Sequence, residues 1–300
     1  MRKIIVPLLL VALAATAAAK SEPRLIRETY QSPTLKAERD YFVYLPPGFE
    51  AQDQWPVILF LHGNGERGDG KGELDYVLKH GPLFEAWCQK RDLPFVIISP
   101  QMPMQDQGEV DYIKNRKRAD IPTRHATGPA DPRPFFPRSK DPLQGQLSEE
   151  ITGRRADPAA STNGWNTMAG DVMANLDAVL AKYKGDPKRV YLTGISLGGF
   201  GTWYLAAKHP EKFAAIAPVV GYGVPAQAAA LARPPMPMWV IAGGRDNAVK
   251  VKYFYPLLNE LEKLGHPEVR FTIEADMDHD TWIRTYMGKD LYDWFLTHAK

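Results

Sequence analysis

The stretch Val190–Trp203, VYLTGISLGGFGTW, decides the fold. Val190 to Thr193 reads as a buried strand, and Gly198 to Lys208 reads as a helix. Between them lies Gly194-Ile195-Ser196-Leu197-Gly198, a match to G-x-S-x-G. The five-residue pattern alone is weak, but a strand-turn-helix setting is what exposes a serine hydroxyl at the top of a sheet. The glycines have a physical reason: a serine held at unfavourable backbone angles needs neighbours without side chains, and the helix must pack closely on the sheet. A structural turn would want the glycines but not the serine.

Outward from this stretch, strands are expected at Leu25–Gln31, Tyr41–Leu45, Val57–Leu61, Phe95–Ser99, Val190–Thr193, Ala214–Val219, Met238–Ala242 and Val269–Glu274. Several are apolar at consecutive positions, as central parallel strands are when both faces are covered. Helical periodicity marks Asn166–Tyr183, where Met168, Val172, Leu176, Val179 and Leu180 share a face, and also Tyr253–Leu264 and Asp290–His298. An antiparallel start followed by βα alternation implies an α/β class chain: a doubly wound, mostly parallel eight-stranded sheet with helices on both faces.

The segment from Met102 to Asn163 does not fit that rhythm. It is rich in Pro, Arg, Lys and Asp and has no period. Loops of that length are functional or disordered. It leaves the carboxyl end of the fourth strand, the edge where open α/β sheets bind ligands. Phe135, Phe136 and Trp165 offer it apolar anchors, which favours a lid-like insertion over a solvated one.

The chain has 300 residues, with 37 Lys+Arg against 35 Asp+Glu. Residues 1–19 have Arg2 and Lys3, a short apolar run and the small residues Ala17-Ala18-Ala19, which is signal-peptide grammar with cleavage before Lys20. The competing reading is an uncleaved anchor, and the small-residue end speaks against it. Loss of Arg2 and Lys3 takes the formal charge from +2 to 0, so neither nucleic acid nor an anionic membrane is expected as partner. The expected chain is one catalytic domain over residues 20–300 with the insertion at 102–163, exported to the periplasm or beyond. The single Cys88 can form no internal disulfide and, at helical spacing with Leu83, Phe84 and Trp87, reads as a buried structural thiol.

A serine hydroxyl needs a base to take its proton. In this fold the order is nucleophile, acid, histidine. After Ser196 stand His209, His266, His279 and His298. His209 and His266 precede prolines at helix ends, and His298 is near the terminus. His279, in EADMDHDTW just past the last strand, reaches the right sheet edge and is the expected base. The acid should follow an earlier strand, and MWVIAGGRDNAV puts Asp246 there. Asp276, Asp278 and Asp280 are rivals too close in sequence to reach the far ring nitrogen. Donors for an oxyanion come next. VILFLHGNGERG runs a strand into His62-Gly63-Asn64-Gly65, so the backbone N–H of Asn64 could meet that of Leu197. His62 reads as a structural hydrogen bonder and Glu66 with Arg67 as a local ion pair shaping the loop. Trp165 and Trp282 are candidate substrate-binding surfaces, with core positions as the alternative.

Together FLHGNGERG, ISPQ, DPKRVYLTGISLGGFGTWYLAAKHPEKFAAIAPV, GGRDNAV and DHDTWIRTY resemble the α/β-hydrolase superfamily. Within it the chain is similar to exported esterases such as feruloyl esterases, acetylxylan esterases and polyhydroxybutyrate depolymerases, and to their peptidase-like kin. The resemblance implies the α/β-hydrolase fold and a serine carboxylesterase acting on acyl esters, acetyl or feruloyl, on polysaccharide. It carries the role of nucleophile to Ser196, acid to Asp246, base to His279 and oxyanion donors to Asn64 and Leu197. It implies no cofactor and no metal, and an ester of small-molecule or polysaccharide type as the one partner; it leaves the oligomeric state open. The insertion is longer than such esterases have, which bears on substrate. Two rivals stay open: a serine peptidase on the same machinery, and a carbohydrate-binding homologue without catalysis.

Overall fold

The computed structural model describes residues 20–105, 108–129, 139, 141–145, 148–162 and 164–300. Residues 1–19, with the expected signal segment, and Phe135 and Phe136, the two expected anchors, lie outside the described residues. The strands are β1 (Arg24–Ser32), β2 (Ala37–Leu45), β3 (Trp55–Leu61), β4 (Val96–Pro100), β5 (Gly185–Ile195), β6 (Ala215–Val219), β7 (Met238–Gly243) and β8 (Val269–Glu274). They form one sheet in the order β1-β2-β4-β3-β5-β6-β7-β8. The β1/β2 and β2/β4 pairs are antiparallel. From β4 through β8 every neighbouring pair is parallel. The carboxyl ends of β3 to β8 therefore share one edge.

The consecutive apolar residues of β3 show why the centre of the sheet is parallel and covered on both faces. Val57, Leu59 and Leu61 join one core, with Val172 and Leu176 of the helix Ala169–Lys182 and Leu257 and Leu261 of the helix Tyr255–Lys263. Ile58 and Phe60 join the other, with Leu83, Cys88 and, from the helix Asp290–Leu296, Leu291 and Phe295. The period-2 side-chain alternation of a strand divides one hydrophobic run between two layers. Cys88 is buried, and burial pushes its thiol up to about 12, which keeps it unreactive. Among the described residues no helix is long and apolar enough to cross a membrane.

Trp165 belongs to this core and corrects the expectation that it lines a substrate surface. It is fully buried, its ring 5.1 Å from that of His62. A Cβ on Gly201 of the helix Leu197–Lys208 would come within 2.9 Å of the indole, so this glycine makes the space for it. Two described parts of the 102–163 segment meet loops at the carboxyl edge. Gln144 donates its backbone N–H to Gly244 O at 2.7 Å, and Ser139 donates its own to Asp276 O at 3.0 Å.

His62 joins the ends of β3 and β4. Its Nε2 accepts the Met102 N–H at 2.9 Å, and its Nδ1 lies 2.6 Å from Gly63 O, to which it donates. Both bonds require the neutral ring, and full burial holds its pKa down at about 3. The unfolded chain thus binds one proton that the native state does not bind between pH 3 and about 6.5. Stability supplied by this histidine is complete above that window and is lost as pH falls through it, by about 1.4 kcal/mol per unit. His62→Gln is expected to flatten the stability curve: urea unfolding at pH 6 and pH 4 should differ by ~2–3 kcal/mol less in the variant than in the wild type. Equal differences would mean that the buried ring is already protonated in the native state.

Candidate active site

Ser196 ends β5 and caps the helix Leu197–Lys208 with φ 52° and ψ −115°. That conformation costs about 1–3 kcal/mol for a residue with a side chain and persists only where the surroundings over-determine it. The surroundings here are backbone against backbone. A Cβ on Gly198 would fall 1.9 Å from Leu61 O, and one on Gly194 would fall 2.4 Å from Gly198 O. The Ser196 N–H donates to Val219 O at 3.0 Å, which ties the turn to the end of β6. The G-x-S-x-G glycines are thus present because β3, β5 and the helix approach closer than any side chain allows.

The loops at the same edge bring the partners in. His279, after β8, sets Nε2 2.9 Å from Ser196 Oγ and Nδ1 2.7 Å from Asp246 Oδ2. Asp246, after β7, is fully buried, and its Oδ1 accepts the N–H groups of Ala248 and Val249, each at 2.8 Å. A buried carboxylate with two backbone donors and an imidazole N–H has the bonds its charge needs. The rivals are engaged elsewhere: Asp276 binds Arg284, and Asp278 caps its own turn by accepting the His279 N–H. Of the other histidines, His209 lies 3.8 Å from Glu211 and His298 lies 2.5 Å from Glu268.

These groups open into a cavity of about 620 Å³ that Asn64, Leu197, Ser196, His279 and Trp282 all line. Asn64 and Leu197 each begin a helical turn, Asn64–Glu66 and Leu197–Lys208. The first N–H groups of such turns have no acceptor within the helix and are the ones a ligand oxygen meets. The Asn64 side chain is itself fixed, accepting from Arg67 Nε at 2.6 Å and donating to Tyr112. Arg116 of the insertion donates to Gly65 O and Arg67 O, so the turn is held from outside as well. Glu66 and Arg67 shape the loop through different partners: Arg67 reaches Asn64 and Pro103, whereas Glu66 faces His80 at 3.5 Å.

Sequence reasoning missed much of the lining. Phe200, Tyr222 and Tyr253 form a contiguous ring series, with centroids 4.8 Å and 5.4 Å apart, and Arg155 donates to the Tyr253 hydroxyl. A second series runs from His279 through Trp282 to His80, at 5.3 Å and 5.4 Å. Phe200 was within reach of sequence reasoning, because it lies four residues past Ser196 on the same helix face. No pattern in the sequence marks His80, Tyr222 or Tyr253. Among the described residues no group of three or more His, Cys, Asp or Glu side chains could hold a metal ion.

A family model described as the prolyl oligopeptidase family matches residues 159–225, the part that carries the Ser196 turn. Feruloyl esterase B of Neurospora crassa is 41% identical over 59 residues, 20% of each chain. Poly(3-hydroxyalkanoate) depolymerase C of Paucimonas lemoignei is 46% identical over 46 residues, 15% of this chain and 11% of that one. These matches thus span a fifth or less of the relatives' length. The crystal structure of a thermostable esterase superposes with a TM-score of 0.62 at 22% identity, covering 92% of this chain and 63% of that one. With the strand order and the serine turn already described, this likeness identifies the fold: the chain is an α/β-hydrolase in architecture.

Proposed function

We propose that this chain is an exported serine carboxylesterase that hydrolyses acyl esters, of acetyl or feruloyl type, on polysaccharide. The observation that carries the reading is the hydrogen-bonded line from Asp246 through His279 to Ser196 Oγ, opening into a cavity with backbone donors. His279 Nε2 takes the hydroxyl proton as Ser196 Oγ bonds to the ester carbonyl carbon. The carbonyl oxygen becomes an oxyanion between the N–H groups of Asn64 and Leu197. Collapse breaks the bond to the alcohol oxygen, which receives the proton from His279 and leaves. Water, deprotonated by the same ring, then attacks the acyl-enzyme and frees the acid and Ser196. Asp246 holds the ring in the tautomer with the proton on Nδ1 and stabilises the imidazolium.

The names of the matched relatives, a feruloyl esterase and a polyhydroxyalkanoate depolymerase, support ester over amide. Trp282 and the Phe200–Tyr222–Tyr253 rings are the surfaces on which the acyl or sugar part lies. Within the catalytic domain of residues 20–300, the 102–163 insertion is lid-like. Asp141 takes hydrogen bonds from Arg245 and Asn247, the two neighbours of Asp246, and Arg155 reaches the cavity rim. The prolyl oligopeptidase match favours a second reading, a serine peptidase using the same groups.

Short p-nitrophenyl and feruloyl esters should be hydrolysed while peptidyl amides are not. Ser196→Ala should lose at least ~10³-fold in kcat, and Asp246→Asn about 10⁴-fold through loss of the working tautomer. Cleavage of amides but not esters would favour the peptidase. Ester turnover surviving in Ser196→Ala would remove the serine from the chemistry. Export is tested separately: the N-terminus of protein recovered outside the cytoplasm should begin at Lys20, whereas an intact Met1 on membrane-bound protein would point to an anchor.

A further inference from the structure

Glu66 is a buried acid that the chemistry above leaves unused. It is 4% exposed yet lines the same cavity as Ser196. It stands third in the turn Asn64–Glu66, which Gly63 caps in an extended conformation. The carboxylate lies beside the Gly63 N–H and its own N–H, both of which favour its ionised form. A Cβ on Gly63 would lie 3.3 Å from Glu66 Oε2. An acidic third residue reaching back to the cap N–H is half of a capping box, a device that fixes the entry into a helical turn. Asn64 and Gly65 lie between cap and acid, and Asn64 is the first residue of the turn.

We propose that Glu66 is the positioning residue of the oxyanion turn: by holding the Gly63 N–H it sets the direction of the Asn64 N–H toward the carbonyl oxygen. It acts through Asn64 and does not touch the reacting atoms. The inference rests on the acyl-transfer reading. The groups facing the carboxylate are His80 at 3.5 Å, His62 at 3.9 Å, Lys79 and Arg116. His62 is neutral and donates to Gly63 O, so it adds no charge. Burial raises the Glu66 pKa to about 7, against the pull of Lys79, the two N–H groups and Arg116. Its ionised form, the better acceptor, therefore prevails above neutrality.

Removing a whole oxyanion donor costs about 10²–10³ in kcat, and mis-aiming one should cost a part of that. On p-nitrophenyl acetate at pH 8, Glu66→Ala is expected to lower kcat ~10-fold or more with KM within about 3-fold, the split of a group used in the transition state. Glu66→Gln keeps an oxygen for the Gly63 N–H and stands in for the protonated acid. It should match the wild type at pH 6 and fall ~3-fold or more below it at pH 8, a dependence that a merely structural role would not produce. Should Glu66→Ala fail to fold, the Glu66→Gln ratio at the two pH values decides alone. Wild-type kcat in a folded Glu66→Ala, or a Glu66→Gln ratio that does not change with pH, would overturn the proposal. Ser196→Ala run beside them separates the two levels: if it retains hydrolysis the esterase reading falls, and if it is inactive while the Glu66 variants are normal only this inference falls.

Discussion

Ser196 sits where no L-residue rests willingly, at φ 52° and ψ −115°, and the centre of the molecule is arranged so that it has no alternative. The strain of about 1–3 kcal/mol is offset by close backbone packing around it: Gly198 against Leu61 O, Gly199 against Val219 O and Gly201 against the Trp165 ring. The three glycines lie on successive parts of one helix and face β3, β6 and the buried indole. Any side chain there would push the helix off the sheet and let the turn relax. The conformation of Ser196 is thus the outcome of packing over the whole centre of the sheet, and it depends on none of the side chains that meet its hydroxyl.

A sheet whose six strands from β3 to β8 run parallel delivers the remaining groups to the same edge. β3 ends in the Asn64 turn, β5 in Ser196, β7 in the Asp246 loop and β8 in the His279 loop. Each loop is then held by a contact local to it. Ala248 and Val249 donate to Asp246, Asp278 caps the His279 turn, and Arg67 binds Asn64. The insertion ties these loops to one another through Arg116 on the first and Asp141 on the third. The described parts of a long connection with no period of its own are therefore fixed by contacts with the loops beside them.

This division explains what was legible in the sequence. β8 was readable at its full length, Val269–Glu274, because Val269, Phe271 and Ile273 alternate with Arg270, Thr272 and Glu274 over its whole span. β5 was read as Val190–Thr193 but runs Gly185–Ile195: Gly185 pairs with Trp55, and after a register shift that leaves Asp186 to Arg189 unpaired the ladder resumes at Val190 against Val57, so the early part of the strand shows no apolar run. The short helix Trp282–Met287 went unread because one and a half turns give no measurable period. Ser196, Asp246 and His279 could be singled out because each follows a strand, and chain order supplies the rest. Trp165 could not, because an aromatic residue at the end of a loop looks the same whether it turns toward a cavity or toward Gly201. The cap-to-third-residue spacing from Gly63 to Glu66 was visible, and only its consequence for Asn64 needed the fold.

Three titratable groups lie buried beneath one cavity, and each meets the cost of burial differently. Asp246 takes two N–H groups and an imidazole as partners. His62 gives up its charge, bridging a carbonyl and an N–H as a neutral ring. Glu66 stands between, with two N–H groups but no full counter-charge, which is why burial can lift it to about 7. Of the three, Glu66 alone lines the cavity. Asn64 and Leu197, each at the start of its turn, line that cavity beside Ser196. Fixed N–H dipoles at the start of a helical turn stabilise negative charge that develops late, on a carbonyl oxygen, without having to reorganise, and the proposed acyl transfer draws on that property.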